Sequence, residues 1–117
     1  MPRPTIKRVY EPRLPQDGQC VLVDRVWPRG ISKDTLKGVI WLKDVAPSTG
    51  LRKWFGHRPE RWEAFRTRYL AELDRNADAM AELRALCRRG PVTLLYAARD
   101  TQHNQALVLV EYLARHR

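Results

Sequence analysis

The chain has 117 residues, about one domain's worth, with 44% hydrophobic and 30% charged positions and a formal charge of +9. This composition excludes a collagen-like or disordered polymer, and no apolar stretch approaches the roughly 18 to 20 residues that a membrane span needs. The opening Met1-Pro-Arg-Pro lacks the apolar segment of a secretory leader, so a soluble cytoplasmic protein with no membrane partner is expected.

Thr5 to Val9 reads as a short first strand. The run Cys20 to Val26, bounded by Asp17-Gly18 and by Pro28 and Gly30, reads as a strand covered on both faces. Ser32 is placed to cap a short turn through Lys37. Val39 to Val45 is a third strand, stopped by Ala46-Pro47, and Ser48 can cap a helix over Thr49 to Phe55. Pro59 and Glu60 open a long amphipathic stretch in which Trp62, Phe65, Tyr69, Leu73, Ala77, Met80, Leu83 and Cys87 recur at steps of three or four. Unbroken, it would measure about 45 Å, too long for a domain with a radius of gyration of roughly 13 Å, so a break is expected around Asp74 to Asp78. Gly90-Pro91 precedes Val92 to Ala97, the most continuous apolar run and the expected central strand. A final helix is expected from about Gln102 to Ala114, capped by Asp100 or Thr101. The pattern predicts one compact α/β domain, Rossmann-like, with a small, mostly parallel sheet of about four strands flanked by helices.

In such a sheet the C-terminal strand ends form the edge where ligands bind. The second strand would deliver Asp24, Arg25, Trp27 and Arg29 to that edge; the third, Lys43, Asp44, Ser48 and Arg52; the fourth, Arg99, Asp100, His103 and Asn104. Asp24 and Arg25 are strand neighbours and point to opposite faces, so they are not expected to pair with each other. His103 and Asn104 are expected in the first turn of one helix and Ser48 at the start of another, where free backbone N–H groups favour an anion. The expected ligand is therefore a small anion, held by Arg25, Arg29, Lys43, Ser48, Arg52 and Asn104. His103, oriented by Asp100, is the candidate general acid or base. His57 lies in a turn between helices, where capping or surface placement is the plainer reading, and His116 sits at the end of the chain.

Other chemistries lack their signatures. Cys20 and Cys87 stand 67 positions apart with no CxxC or Cys/His cluster nearby, so buried reduced thiols are expected, with no metal site. There is no GxGxxG, GxxxxGK[ST], GxSxG or HExxH, hence no cofactor is implied. The positive charge is spread, net +3, +3, +2 and +1 over residues 1–29, 30–60, 61–90 and 91–117, without a polybasic run. A nucleic-acid-associated basic module is accordingly the alternative to a small-anion pocket.

The segments Asp24-Arg-Val-Trp-Pro-Arg-Gly30, Trp41-Leu-Lys-Asp-Val-Ala-Pro-Ser48, Leu51-Arg-Lys-Trp-Phe55 and Thr93-Leu-Leu-Tyr-Ala-Ala-Arg-Asp100, followed by His103-Asn104, resemble the domain of unknown function 488 family in its small YeaO-like branch. The resemblance runs from about Thr5 to Leu113. It implies a compact Rossmann-like fold with Asp24, Arg25, Arg29, Lys43, Ser48, Arg52, His103 and Asn104 gathered at the strand ends and Trp27, Trp41 and Trp54 as their apolar frame. Two departures stand out. The turn reads His57-Arg58-Pro59 where the branch usually has His-Asp-Pro, and Asn104 stands where longer relatives carry a cysteine.

Overall fold

The computed structural model describes residues 3–115; His116 lies outside them. Four strands, β1 (Thr5–Arg8), β2 (Gln19–Leu22), β3 (Ile40–Trp41) and β4 (Val92–Tyr96), form one sheet in the order β1-β4-β2-β3. Every pairing is parallel, with Thr5 opposite Thr93, Cys20 opposite Thr93 and Val21 opposite Ile40. β4 is central, and all five of its residues are buried, which is why it reads as an unbroken apolar run.

Four helices follow the expected spacing: α1 (Thr49–Phe55), α2 (Trp62–Asp74), α3 (Ala77–Arg89) and α4 (Gln105–Arg115). The break between α2 and α3 falls at Arg75-Asn76, where the Asn76 backbone accepts from Met80 and starts the new helix. Phe65, Tyr69 and Leu73 of α2, Met80, Leu83 and Cys87 of α3, and Leu109 and Leu113 of α4 join Val21, Leu94 and Tyr96 of the sheet in one core. The opposite sheet face, formed by Cys20, Leu22 and Leu95, is covered by the irregular 24–39 segment through Trp27, Ile31, Leu36 and Val39. All four helices thus lie on one side, and a loop serves as the other layer. Both cysteines are buried free thiols, and burial raises the pKa of each. No described helix is long and apolar enough to cross a membrane.

Three elements differ from the sequence reading. The second strand was expected to run to Val26 but ends at Leu22, because beyond it the Asp24 side chain rather than a backbone carbonyl accepts the Ala97 N–H. The third strand was expected to run to Val45 but ends at Trp41: as an edge strand it has one ladder partner, and the chain winds into a 3-10 turn at Lys43–Val45. The last helix starts at Gln105 rather than Gln102. Asp100 accepts the backbone N–H groups of Gln102 and His103 at 2.8 and 3.1 Å, closing a turn of its own, and Asn104 becomes the cap by accepting from Leu107 at 3.1 Å. His103 and Asn104 therefore precede the helix instead of occupying its first turn.

Candidate functional site

A cavity of about 690 Å³ opens at the C-terminal ends of β2 and β4, where the chain leaves the sheet toward the 24–39 segment and toward α4. Its apolar wall comes from Val26, Trp27, Phe55 and Phe65; its polar groups are Asp24, Arg25, Arg29, Arg52, His57, Arg99, Asp100, His103 and Gln105. A mostly apolar hollow with a few convergent charged groups is the usual form of a small-ligand site.

Asp24 sits deepest among the acids. One carboxylate oxygen accepts the Ala97 N–H at 2.9 Å and the other accepts from the Gln105 side chain, so the acid joins the ends of β2 and β4 to the start of α4. Burial pushes its pKa up to about 6, against the pull of those two hydrogen bonds and of the Arg52 charge. Arg25, in the bend after β2, donates from Nε to the Pro47 carbonyl and from Nη2 to the Ala46 carbonyl, both at 3.0 Å. That clamp fixes the loop before α1 against the end of β2. Tyr69 supports the same loop from below, its buried hydroxyl donating to the Val45 carbonyl.

His103 is held on two sides. Its Nδ1 lies 2.8 Å from Asp100 Oδ2, and its ring meets the Trp62 ring edge-on at 5.3 Å between centroids. Backbone N–H groups and the imidazole hold the Asp100 carboxyl below the ordinary aspartate range, so it remains an acceptor for the ring. Among the described residues Nε2 has no protein partner. His57, at φ +58 directly after the left-handed Gly56, also reaches the cavity wall.

The exposed guanidiniums of Arg29, Arg52 and Arg99 make no hydrogen bond or ion pair among the described residues. Arg29 is aimed by its own turn: Gly30 takes φ +77, the Trp27 indole donates to the Ile31 carbonyl at 2.6 Å, and Tyr10 donates to the Arg29 carbonyl at 2.9 Å.

Of the residues expected from sequence, Arg25, Arg29, Arg52 and His103 line the cavity; Lys43, Ser48 and Asn104 do not. Lys43 follows the shortened β3 and lies over the Trp41 ring at 5.6 Å. Ser48 caps α1, accepting from Leu51 at 3.2 Å, while its hydroxyl and backbone N–H donate to the Glu72 carboxylate at 2.6 and 2.8 Å. Asn104 is 2% exposed, and its amide donates to the Asp100 carbonyl. The helix starts expected to hold an anion thus have donors committed to Glu72, Asp100 and Asn104. Sequence reasoning missed Gln105, Tyr10 and Glu72. Gln105 is one position past the cap, but the remaining two act across 19 and 24 positions with no local signal.

Comparison with known proteins places the site in context. A family model described as "Inactive DUF488-N3 subclade" matches residues 4–116. An uncharacterised protein of Mycobacterium tuberculosis is 50% identical over 111 residues, covering 95% of this chain and 93% of its own. The uncharacterised protein YeaO of Escherichia coli is 45% identical over 107 residues, 92% of this chain and 93% of its own. No solved structure matches the chain.

Proposed function

The chain belongs to the inactive DUF488-N3 subclade, and on that premise we propose that its cavity binds a small anion bearing a phosphate, sulfate or carboxylate, without turning it over. One observation carries this reading: Arg29, Arg52 and Arg99 line a partly apolar hollow with no hydrogen bond or ion pair to their guanidiniums among the described residues. Guanidiniums recognise such oxyanions through paired N–H donors, each charge-assisted contact contributing about 1.5–3 kcal/mol. Arg25 keeps the wall in place, and His103, braced by Asp100 and Trp62, orients the ligand through Nε2. The catalytic alternative gives His103 proton transfer and Arg29 and Arg52 charge stabilisation; no nucleophile stands beside it, and the subclade is described as inactive. Two buried reduced thiols are compatible with a cytoplasmic setting.

The test is a thermal-shift screen against phosphate, sulfate, mononucleotides and sugar phosphates at matched ionic strength, since a ligand binding only the native state stabilises it by about 2.7 kcal/mol at 100-fold excess over Kd. Selective stabilisation by one of these, weakened about 10-fold or more in Arg29→Ala and Arg52→Ala, supports the proposal. No shift with any of them, or one that survives the double variant, overturns it. Product formation from a stabilising ligand, abolished in His103→Ala, would replace binding by catalysis.

A further inference from the structure

Away from the cavity, Arg61, Arg68 and Arg75 recur at seven-residue intervals, Arg68 within α2 and Arg61 and Arg75 as the residues flanking its two ends, and at two helical turns per interval they fall near one side of it. The row is about 20 Å long at 1.5 Å per residue. Lys53, the chain neighbour of Trp54, and Arg58, whose carbonyl accepts the Arg61 N–H at 2.9 Å, are exposed as well. None of these five cations forms an ion pair among the described residues. Of the two α2 acids between Arg68 and Arg75, Glu72 is turned onto Ser48 and Asp74 accepts from the Tyr112 hydroxyl.

Two of the guanidiniums are also held in place. Arg68 and Arg61 lie over the Trp54 ring at 4.2 and 5.1 Å, and Arg61 donates to the Trp54 carbonyl. Stacking on an indole restricts an arginine while leaving in-plane N–H donors free; Arg61 spends one on the Trp54 carbonyl and Arg68 none among the described residues, so less freedom is lost when a phosphate is met. We propose that this comb of cations, two of them held by stacking, seats the phosphate backbone of a nucleic-acid duplex. The straight row spans about six base pairs at 3.4 Å each, and its contacts are sequence-independent because nothing there presents a groove-reading edge. The assignment is independent of the cavity, whose ligand is a small anion.

The experiment is fluorescence polarisation of the full chain with a labelled 20-base-pair DNA duplex, titrated between 50 and 200 mM salt, with the corresponding single strand as a second probe. Five phosphate contacts predict a log–log salt slope of about −4.5, equivalent to about 500-fold weaker binding across that range. Arg68→Ala/Arg75→Ala should flatten the slope by about 1.8, whereas Arg29→Ala in the cavity should leave it unchanged. Trp54→Leu should weaken binding several-fold at an unchanged slope, because the charges remain and only their placement is lost. Absence of binding at 50 mM salt, a slope indifferent to Arg68→Ala/Arg75→Ala, equal loss in Arg29→Ala, or tighter binding of the single strand each overturns the proposal.

Discussion

The Asp24 carboxylate accepts the backbone N–H of Ala97 at 2.9 Å, so the end of β2 is fastened to the end of β4 by an acid whose burial raises its pKa to about 6. Its unfolded value is 3.8, so between those values the folded chain binds more protons than the unfolded one and stability falls as pH rises. Chemical denaturation should show a loss of about 1 kcal/mol between pH 5 and 7 from this group. Asp24→Asn should flatten that slope while lowering stability overall, because an amide presents its NH₂ to one of two donors that now meet oxygens. Acids held low by their partners, Asp17, Asp100 and Glu111, act with the opposite sign and at lower pH, as acid protonates them. Protonating Asp24 also removes negative charge from the cavity, so sulfate should bind more tightly at pH 5 than at pH 7.

Gly18 closes the turn into β2 at φ +68, and a Cβ there would stand 2.3 Å from the Pro91 carbonyl oxygen. That carbonyl accepts the Gln19 N–H at 3.0 Å, so neither strand can retreat without breaking the first rung between β2 and β4. Gly18→Ala should cost about 2 kcal/mol or more, seen as a Tm lower by roughly 8 °C. Gly30→Ala, with φ +77 but no atom within 4 Å, should cost less, and the difference between the two measures the clash alone.

How far the site was legible follows from what its residues bond. β4 and β2 were readable because burial on both faces leaves an apolar run, and Asp24, Arg25 and Arg29 were readable because they leave the end of such a run. Ser48 and Asn104 have the same local signature, polar residues at helix starts, yet their capacity is spent on Leu51, Glu72, Asp100 and Leu107. Glu72 lies 24 positions from Ser48 on a helix whose registration against α1 no local pattern encodes. The loop layer over Cys20, Leu22 and Leu95 was equally hidden, since Trp27, Ile31, Leu36 and Val39 follow neither the strand nor the helix period.

Asn104→Ala separates capping from ligand contact. Removing the acceptor for Leu107 and the donor to Asp100 should cost about 1–2 kcal/mol in a denaturant melt, the usual size for a lost N-cap with a buried partner. Anion affinity, measured by calorimetry well below the new Tm, should change less than about twofold. A larger loss of affinity would return Asn104 to the ligand's own contacts.

Arg25 distinguishes a clamp from a charge. Its two donors meet adjacent carbonyls, Ala46 and Pro47, a fork geometry that a guanidinium matches and an ammonium cannot. Arg25→Lys keeps the positive charge in the cavity but can serve only one carbonyl well, so it should lose about 1 kcal/mol of stability and loosen the turn that leads into α1 and Arg52. If Arg25 acts on the ligand by charge alone, Arg25→Lys should bind sulfate as the native chain does and Arg25→Ala should not. If it acts by holding the loop, both variants should bind weakly, and hydrogen exchange at Leu51 and Arg52 should quicken in both. The geometry predicts the second pattern, because both of its hydrogen bonds go to backbone carbonyls.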